Sequence, residues 1–225
     1  MDKPKGYRLF HIVAILSVST LLISNTIAVK LFHFGNFVFP AGIIVFPVAY
    51  ILNDVLTEVY GYEKTRSVIW TGFLALAIMV LCYSLAVILS PASFWQDQAA
   101  FEKLFKQTPR IAMASILGYL VGSFSNSIIL SKMKIITKGK YLWTRTIGST
   151  IVGEGFDSFV FNFVAFAGIF ATSDLITVAF SGFVFKVAFE AIATPITYLV
   201  IGWLKKAENE DKYDVNVNYN PIKLK

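Results

Sequence analysis

Six stretches of the chain are long and apolar enough to cross a bilayer, and no other feature limits the possible folds as sharply. They run over residues 9–32, 37–59, 68–90, 111–131, 147–171 and 175–204. A spanning helix takes about 20 predominantly apolar residues, so each qualifies by length. Of the 225 residues, 56% are hydrophobic and 15% charged, against about 25% charged in soluble domains. With 21 Phe and a mean hydropathy of +0.65, an ordinary soluble domain is excluded, and so is a disordered chain. The expectation is an all-α membrane protein with six transmembrane helices in one domain, 1–206, and a polar, poorly ordered cytoplasmic tail, 207–225. The first stretch does not read as a cleavable signal: it lacks a small-residue cleavage site and carries Asn25 and Lys30.

Basic residues set the orientation. Lys3, Lys5 and Arg8 precede the first stretch, Lys64 and Arg66 lie between the second and third, and Lys132, Lys134, Lys138, Lys140 and Arg145 fill the connection between the fourth and fifth. Lys205 and Lys206 follow the sixth, whereas the alternate connections are poorer in cations. Both termini are therefore expected in the cytoplasm. The net charge of +6 is explained by this topology, and nucleic acid is not an expected partner. Residues 94–107 place aromatic and apolar side chains at near-helical spacing with charges between them, which fits either an interfacial helix or a loop helix packed on the bundle.

Chemistry classes narrow quickly. One cysteine, Cys82, and two histidines, His11 and His33, give neither a disulfide framework nor a metal centre. There is no HExxH or GxSxG motif and no P-loop, so no enzyme, no ATP hydrolysis and no cofactor are expected.

The informative residues are ionisable groups inside the apolar stretches. A charged side chain at a helix centre costs about 2.5–3.5 kcal/mol on insertion scales and usually faces a cavity or a partner. Asp54 and Glu58 are four apart, Glu154 and Asp157 three apart, and Lys186 and Glu190 four apart, so each pair shares a helix face. Glu154, Asp157 and Lys186 fall near mid-bilayer, with Asp54 and Glu190 nearer the cytoplasm and Glu58 close to the interface. Lys186 and Glu190 read either as an ion pair within one helix or as partners of other helices. Glu58 reads either as an interfacial charge beside Lys64 and Arg66 or as part of a site. Asp54, Glu154 and Asp157 have no counter-charge in their own helices, which favours a cavity. Asn25 and Asn162 belong to the outer half and Asn126 to the inner half. Gly148, Gly153 and Gly155 permit close helix approach or backbone contact with a ligand, and Tyr50, Tyr60, Phe156, Phe159, Phe161 and Phe163 offer rings for packing or for stacking on a planar ligand.

Three blocks then resemble the queuosine precursor transporter family, also called the vitamin uptake transporter family. FPVAYILNDVLTEVYGYEKTR carries Phe46, Pro47, Tyr50, Asp54, Thr57, Glu58, Tyr60, Gly61 and Arg66 of its signature; WTRTIGSTIVGEGFDSFVF carries Trp143, Arg145, Gly148, Ser149, Glu154, Asp157 and Ser158; KVAFEAIATPITYLV carries Lys186, Glu190, Thr194, Pro195 and Tyr198. The resemblance implies a multi-pass importer in a bacterial or archaeal inner membrane for 7-cyano-7-deazaguanine and 7-aminomethyl-7-deazaguanine, working without an ATPase module. The alternative is a substrate-capture subunit of an energy-coupling-factor-type vitamin transporter. The residues put forward for the substrate site are Tyr50, Asp54, Glu58, Asn126, Glu154, Asp157, Asn162, Lys186 and Glu190. Expected partners are a small-molecule 7-deazapurine and the lipid bilayer, with a homodimer compatible but not required.

Overall fold

The computed structural model describes residues 7–34, 37–106 and 109–223. Lys3, Lys5 and Gln107, which entered the reading above, lie outside them. Helix α1 spans Phe10–Ile27, then strands β1 (Leu31–Phe34) and β2 (Phe37–Pro40) pair antiparallel with Leu31 opposite Pro40. A 3-10 turn, Ala41–Ile44, leads into α2 (Phe46–Val55), which passes directly into a π-helical turn, Leu56–Tyr60. Helices α3 (Tyr62–Ile88), α4 (Gln98–Phe105), α5 (Pro109–Ile136), α6 (Leu142–Phe166) and α7 (Thr172–Glu208) complete the chain.

Among the described residues, four segments are long and apolar enough to cross a membrane: α1, α3, the stretch Gln98–Ile136 that contains α5, and α7. Helix α6 has 25 residues, about 37 Å at 1.5 Å per residue, but Glu154, Asp157 and Asn162 dilute its apolarity.

The second expected span, 37–59, is not one continuous helix. Its first four residues form β2, and α2 holds only 10 residues. Aromatic and β-branched residues in 31–40 favour strands, while Pro40 and Pro47 prevent a helix from running through. Pro47 instead sits in the first turn of α2, where its missing N–H costs nothing. The 3-10 turn packs against α1 at Gly42, where a Cβ would lie 2.8 Å from the Ser24 carbonyl oxygen.

Burial is inverted relative to a soluble protein. On α3, Leu74, Ile78, Leu81 and Leu85 are all more than half exposed and recur at helical spacing, a stripe suited to acyl chains. The interior instead takes Asp54, Glu58, Arg66, Lys134, Arg145 and Glu190, each at most 3% exposed. Apolar packing among Val13, Leu52, Leu56, Val59, Leu142 and Ile201 ties α1, α2, the π turn, α6 and α7 together beside these charges.

The tail is not the loose extension expected from its polarity. Residues 209–223 fold back over the ends of α3 and α5. The Asp214 carboxylate accepts from the Tyr62 backbone N–H at 2.8 Å and from the Ser131 hydroxyl at 2.6 Å. Arg66 Nη1 donates to the carbonyls of Asn218 and Asn220, and Trp70 Nε1 to that of Pro221 at 2.8 Å. Gly61 makes the turn beneath it: its φ is +81°, and a Cβ there would meet Asp214 Oδ1 at 2.6 Å. These bonds order a tail that its polarity had marked as poorly ordered.

Candidate functional site

The site is assembled on a glycine seam. Gly118, Gly122 and Asn126 recur every fourth residue along α5 and face Gly153 and Asp157 of α6. A Cβ on Gly118 would lie 2.7 Å from Asp157 Oδ1, and one on Gly153 would lie 2.7 Å from Asn126 Cβ. Small residues at this spacing let helices approach to backbone contact. Of the three glycines singled out in the sequence, Gly153 makes such an approach, whereas Gly148 and Gly155 meet only side chains of Met133 and Phe183.

With α6 held there, Lys186 reaches it from α7. Its Nζ lies 2.7 Å from Glu154 Oε2 and 2.5 Å from Asp157 Oδ2. The three side chains are 16%, 17% and 28% exposed, so this ion triad is the more open part of the centre. Of the two readings of Lys186, the structure takes the one across helices.

Behind the triad lies a buried group. Asp54, on α2, accepts from Asn126 Nδ2 at 3.0 Å through Oδ1. Among the described residues its Oδ2 has no hydrogen-bond partner, nor do Asn126 Oδ1 and both Glu190 carboxylate oxygens. Asp54 is 1% exposed, Glu190 fully buried and Asn126 8% exposed. Asp54, Glu154 and Glu190 lie within electrostatic reach of one another. Four carboxylates, from α2, α6 and α7, thus share one centre with one ammonium, from Lys186. Carboxyl oxygens keep acceptor capacity in either protonation state, so the centre is rich in acceptors and suited to a ligand that donates.

Glu58 is drawn elsewhere. It sits in the π turn, and its Oε1 accepts from Arg145 Nη2 at 2.8 Å and Lys205 Nζ at 2.7 Å. Lys134 Nζ is 3.5 Å away and donates to the Glu58 carbonyl at 2.6 Å. Asp211 of the tail closes the network, 2.6 Å from Lys134 and 2.8 Å from Lys205. Burial by itself would raise the Asp211 carboxyl, but hydrogen bonds from Lys134 and Lys205 outweigh it and hold that carboxyl below the usual aspartate range. The interfacial cations Lys134, Arg145 and Lys205 had been read as topology signals, and sequence reasoning missed them as partners of Glu58. A π turn inside a helical segment is itself a frequent mark of functional positions.

The other candidates are not joined to the centre by any bond among the described residues. Asn162 Nδ2 and Asn25 Nδ2 donate to carbonyls one turn back in their own helices, those of Ser158 and Leu21. Tyr50 is carried on α2, and its side chain lies outside the described residues. Tyr60 is committed to packing: its hydroxyl donates to Glu208 at 3.0 Å, and its ring meets those of Tyr7 and Phe10 edge-on. Phe156 is half exposed on the outer surface. Two hollows, about 360 Å³ between α1 and α3 around His11 and Ser67 and about 330 Å³ between α3 and α5 around Trp70 and Phe124, are not bordered by the carboxylates. Among the described residues no three His, Cys, Asp or Glu are grouped to hold a metal ion.

Comparison with known proteins bears on the same segment. Residues 40–200 match the family model described as "Putative vitamin uptake transporter", a range that contains the glycine seam and every carboxylate of the centre. A Bacillus subtilis protein named "Probable queuosine precursor transporter" is 30% identical over 158 residues, 70% of this chain and 69% of that protein. A "Queuosine precursor transporter" of Escherichia coli is 23% identical over 216 residues, 92% of this chain and 90% of the relative. A Haemophilus influenzae protein named like the first is 27% identical over 127 residues, 56% of this chain and 51% of its own length. No solved structure matches the chain.

Proposed function

This chain belongs to the vitamin uptake transporter family, the queuosine precursor transporters, and from that premise we propose that it imports 7-cyano-7-deazaguanine and 7-aminomethyl-7-deazaguanine across a bacterial or archaeal inner membrane. It is a multi-pass transporter rather than an enzyme. In the proposed arrangement six segments span the bilayer: α1, α2 with its π turn, α3, α5, α6 and α7, with both chain ends cytoplasmic. Cysteine-accessibility labelling of residues 132–140 tests this arrangement, since extracellular labelling there would reverse it.

The observation that carries the reading is a cluster of buried acceptors that have no hydrogen-bond partner among the described residues: Asp54 Oδ2, Asn126 Oδ1 and both oxygens of Glu190. A guanine-like edge presents adjacent N–H donors, and one carboxylate has room for two of them. Unmade hydrogen bonds at buried polar atoms are costly, so a donor-rich planar ligand offsets a cost the protein already carries. Asp54 and Glu190 are closed off from outside, and a ligand reaches them when α2 parts from α5 or α7. The π turn after α2 and Pro195 within α7 are local breaks in helical bonding that suit such a movement.

The test is uptake of labelled precursors by cells that cannot make them and have no energy-coupling ATPase. Uptake that depends on this chain supports the proposal. No uptake with the protein present in the membrane refutes it, and uptake only after an energy-coupling ATPase is supplied makes the chain a capture subunit.

A further inference from the structure

We infer that the centre discriminates between deazapurines by charge, with Glu154 and Asp157 forming a subsite for a primary ammonium group, so that the aminomethyl compound is held in preference to the neutral cyano compound. This rests on the substrate class proposed above and adds a polarity to it.

The protein supplies its own likeness of such a ligand. Lys186 ends in a primary alkylammonium, and that group lies 2.7 Å from Glu154 Oε2 and 2.5 Å from Asp157 Oδ2. Asp157 Oδ2 accepts a charge-assisted hydrogen bond from it and Glu154 Oε2 lies at ion-pair distance, so the position holds an ammonium. An aminomethyl substituent is the same functional group on a shorter stem. Lysine is a compact point charge on a flexible chain, so Lys186 can yield part of this position without a change in the helices that carry the carboxylates.

Charge balance points the same way. Glu154 and Asp157 share the single Lys186 ammonium, two carboxyl groups to one cation. A second ammonium reduces that imbalance, and a neutral nitrile leaves it untouched. Burial separates two roles: Asp54, Asn126 and Glu190 are at most 8% exposed and hold acceptors without partners, which places the ring edge there. Glu154 and Asp157 are the more open carboxylates, at 17% and 28%, which places the charged substituent with them. An acidic cluster alone would not specify a ligand; the buried, unpartnered Asn126 Oδ1 and Glu190 oxygens beside it do.

The experiment measures half-saturation concentrations for uptake of both labelled compounds at pH 7, where an alkylamine is charged, in membranes containing the full chain. The aminomethyl compound is expected to saturate at least tenfold lower, a difference of about 1.4 kcal/mol. That ratio should collapse towards one in Glu154→Gln and Asp157→Asn and persist in Lys186→Met. Because it compares two compounds on one preparation, the ratio does not depend on how much protein has folded. Equal half-saturation for both compounds, or a ratio unchanged in both amide variants, overturns the charge subsite and leaves the substrate class standing. A ratio that collapses in Lys186→Met also overturns it. Uptake of neither compound refutes the substrate class and this inference with it.

Discussion

Gly122 and Gly153 meet backbone to backbone: a Cβ on Gly122 would lie 3.1 Å from the Gly153 carbonyl oxygen, and one on Gly153 would lie 2.9 Å from that of Gly122. Neither obstacle is a flexible side-chain tip, so the helices themselves must move to admit a methyl group. Overpacking of this kind costs about 1–3 kcal/mol. Gly153→Ala is expected to lower the thermal midpoint of the detergent-solubilised protein by several degrees, and Gly122→Ala to do the same. Gly182→Ala on α7, with nothing within 4 Å of its Cβ position, serves as the comparison and should leave the midpoint unchanged or slightly raised. Equal midpoints for all three would show that the seam tolerates separation.

Glu58 is expected to act first on stability. Its Oε1 is shared by Arg145 and Lys205, and the Glu58, Lys134 and Arg145 side chains are at most 2% exposed. Removing one member of a buried ion pair leaves the others uncompensated and costs about 3–5 kcal/mol. Glu58→Gln should therefore lower the thermal midpoint more than Asp54→Asn does, while the folded fraction still binds substrate. The comparison is made by thermal unfolding and by ligand titration on the same preparation. A stable Glu58→Gln protein with lost affinity would move Glu58 into the ligand site.

The helical class and the charged centre were legible in the sequence because both are properties of single segments. Apolar length marked the helices, and the spacing of Glu154 with Asp157 put both on one face, where Lys186 finds them. The partners of Glu58 were not legible, because Arg145, Lys134 and Lys205 come from three other segments and are equally good topology signals. The α5 half of the seam had a visible signal, Gly118 and Gly122 four residues apart with Asn126 one turn on. It was obscured because Gly148, Gly153 and Gly155 stand closer in sequence to the acidic pair Glu154 and Asp157. The broken second span was signalled by Pro40 and Pro47, but apolar length outweighed them.

The tail clasp has a defined acid limit. Hydrogen bonds from Lys134 and Lys205 hold the Asp211 carboxyl below its ordinary value of 3.8. A carboxyl depressed by folding contributes stability that is complete above the unfolded value and lost as pH falls through the folded one. The tail should thus stay protected from protease from pH 7 down to about pH 4 and become cleavable at lower pH. Lys134→Met should make residues 209–223 cleavable at pH 7. Protection that is the same at pH 3 as at pH 7 would show that Asp214, Arg66 and Trp70 hold the tail without Asp211.

The sharpest expectation concerns the buried acceptors. Asp54 Oδ1 is committed to Asn126, and among the described residues neither its Oδ2 nor either Glu190 oxygen has a hydrogen-bond partner. Replacing a carboxylate by its amide turns one acceptor into an NH₂ donor at nearly constant volume, so packing is preserved while the polarity of one atom reverses. If these oxygens accept from the N–H groups of a guanine-like edge, Asp54→Asn and Glu190→Gln each lose about 1.5–3 kcal/mol of binding, the range for hydrogen bonds to charged groups. That corresponds to roughly a tenfold to a hundredfold weaker affinity. Asn126→Leu removes the donor that fixes Asp54 Oδ1 and should weaken binding as well, by freeing that oxygen to turn away. Adenine-type analogues, which lack the paired donors, should compete poorly with the wild type. The measurement is titration of the purified protein with each deazapurine, alongside uptake at low substrate. Wild-type affinity in both amide variants would place ring recognition away from Asp54 and Glu190, leaving these carboxylates to packing or coupling and moving the search to Asn25 and Asn162.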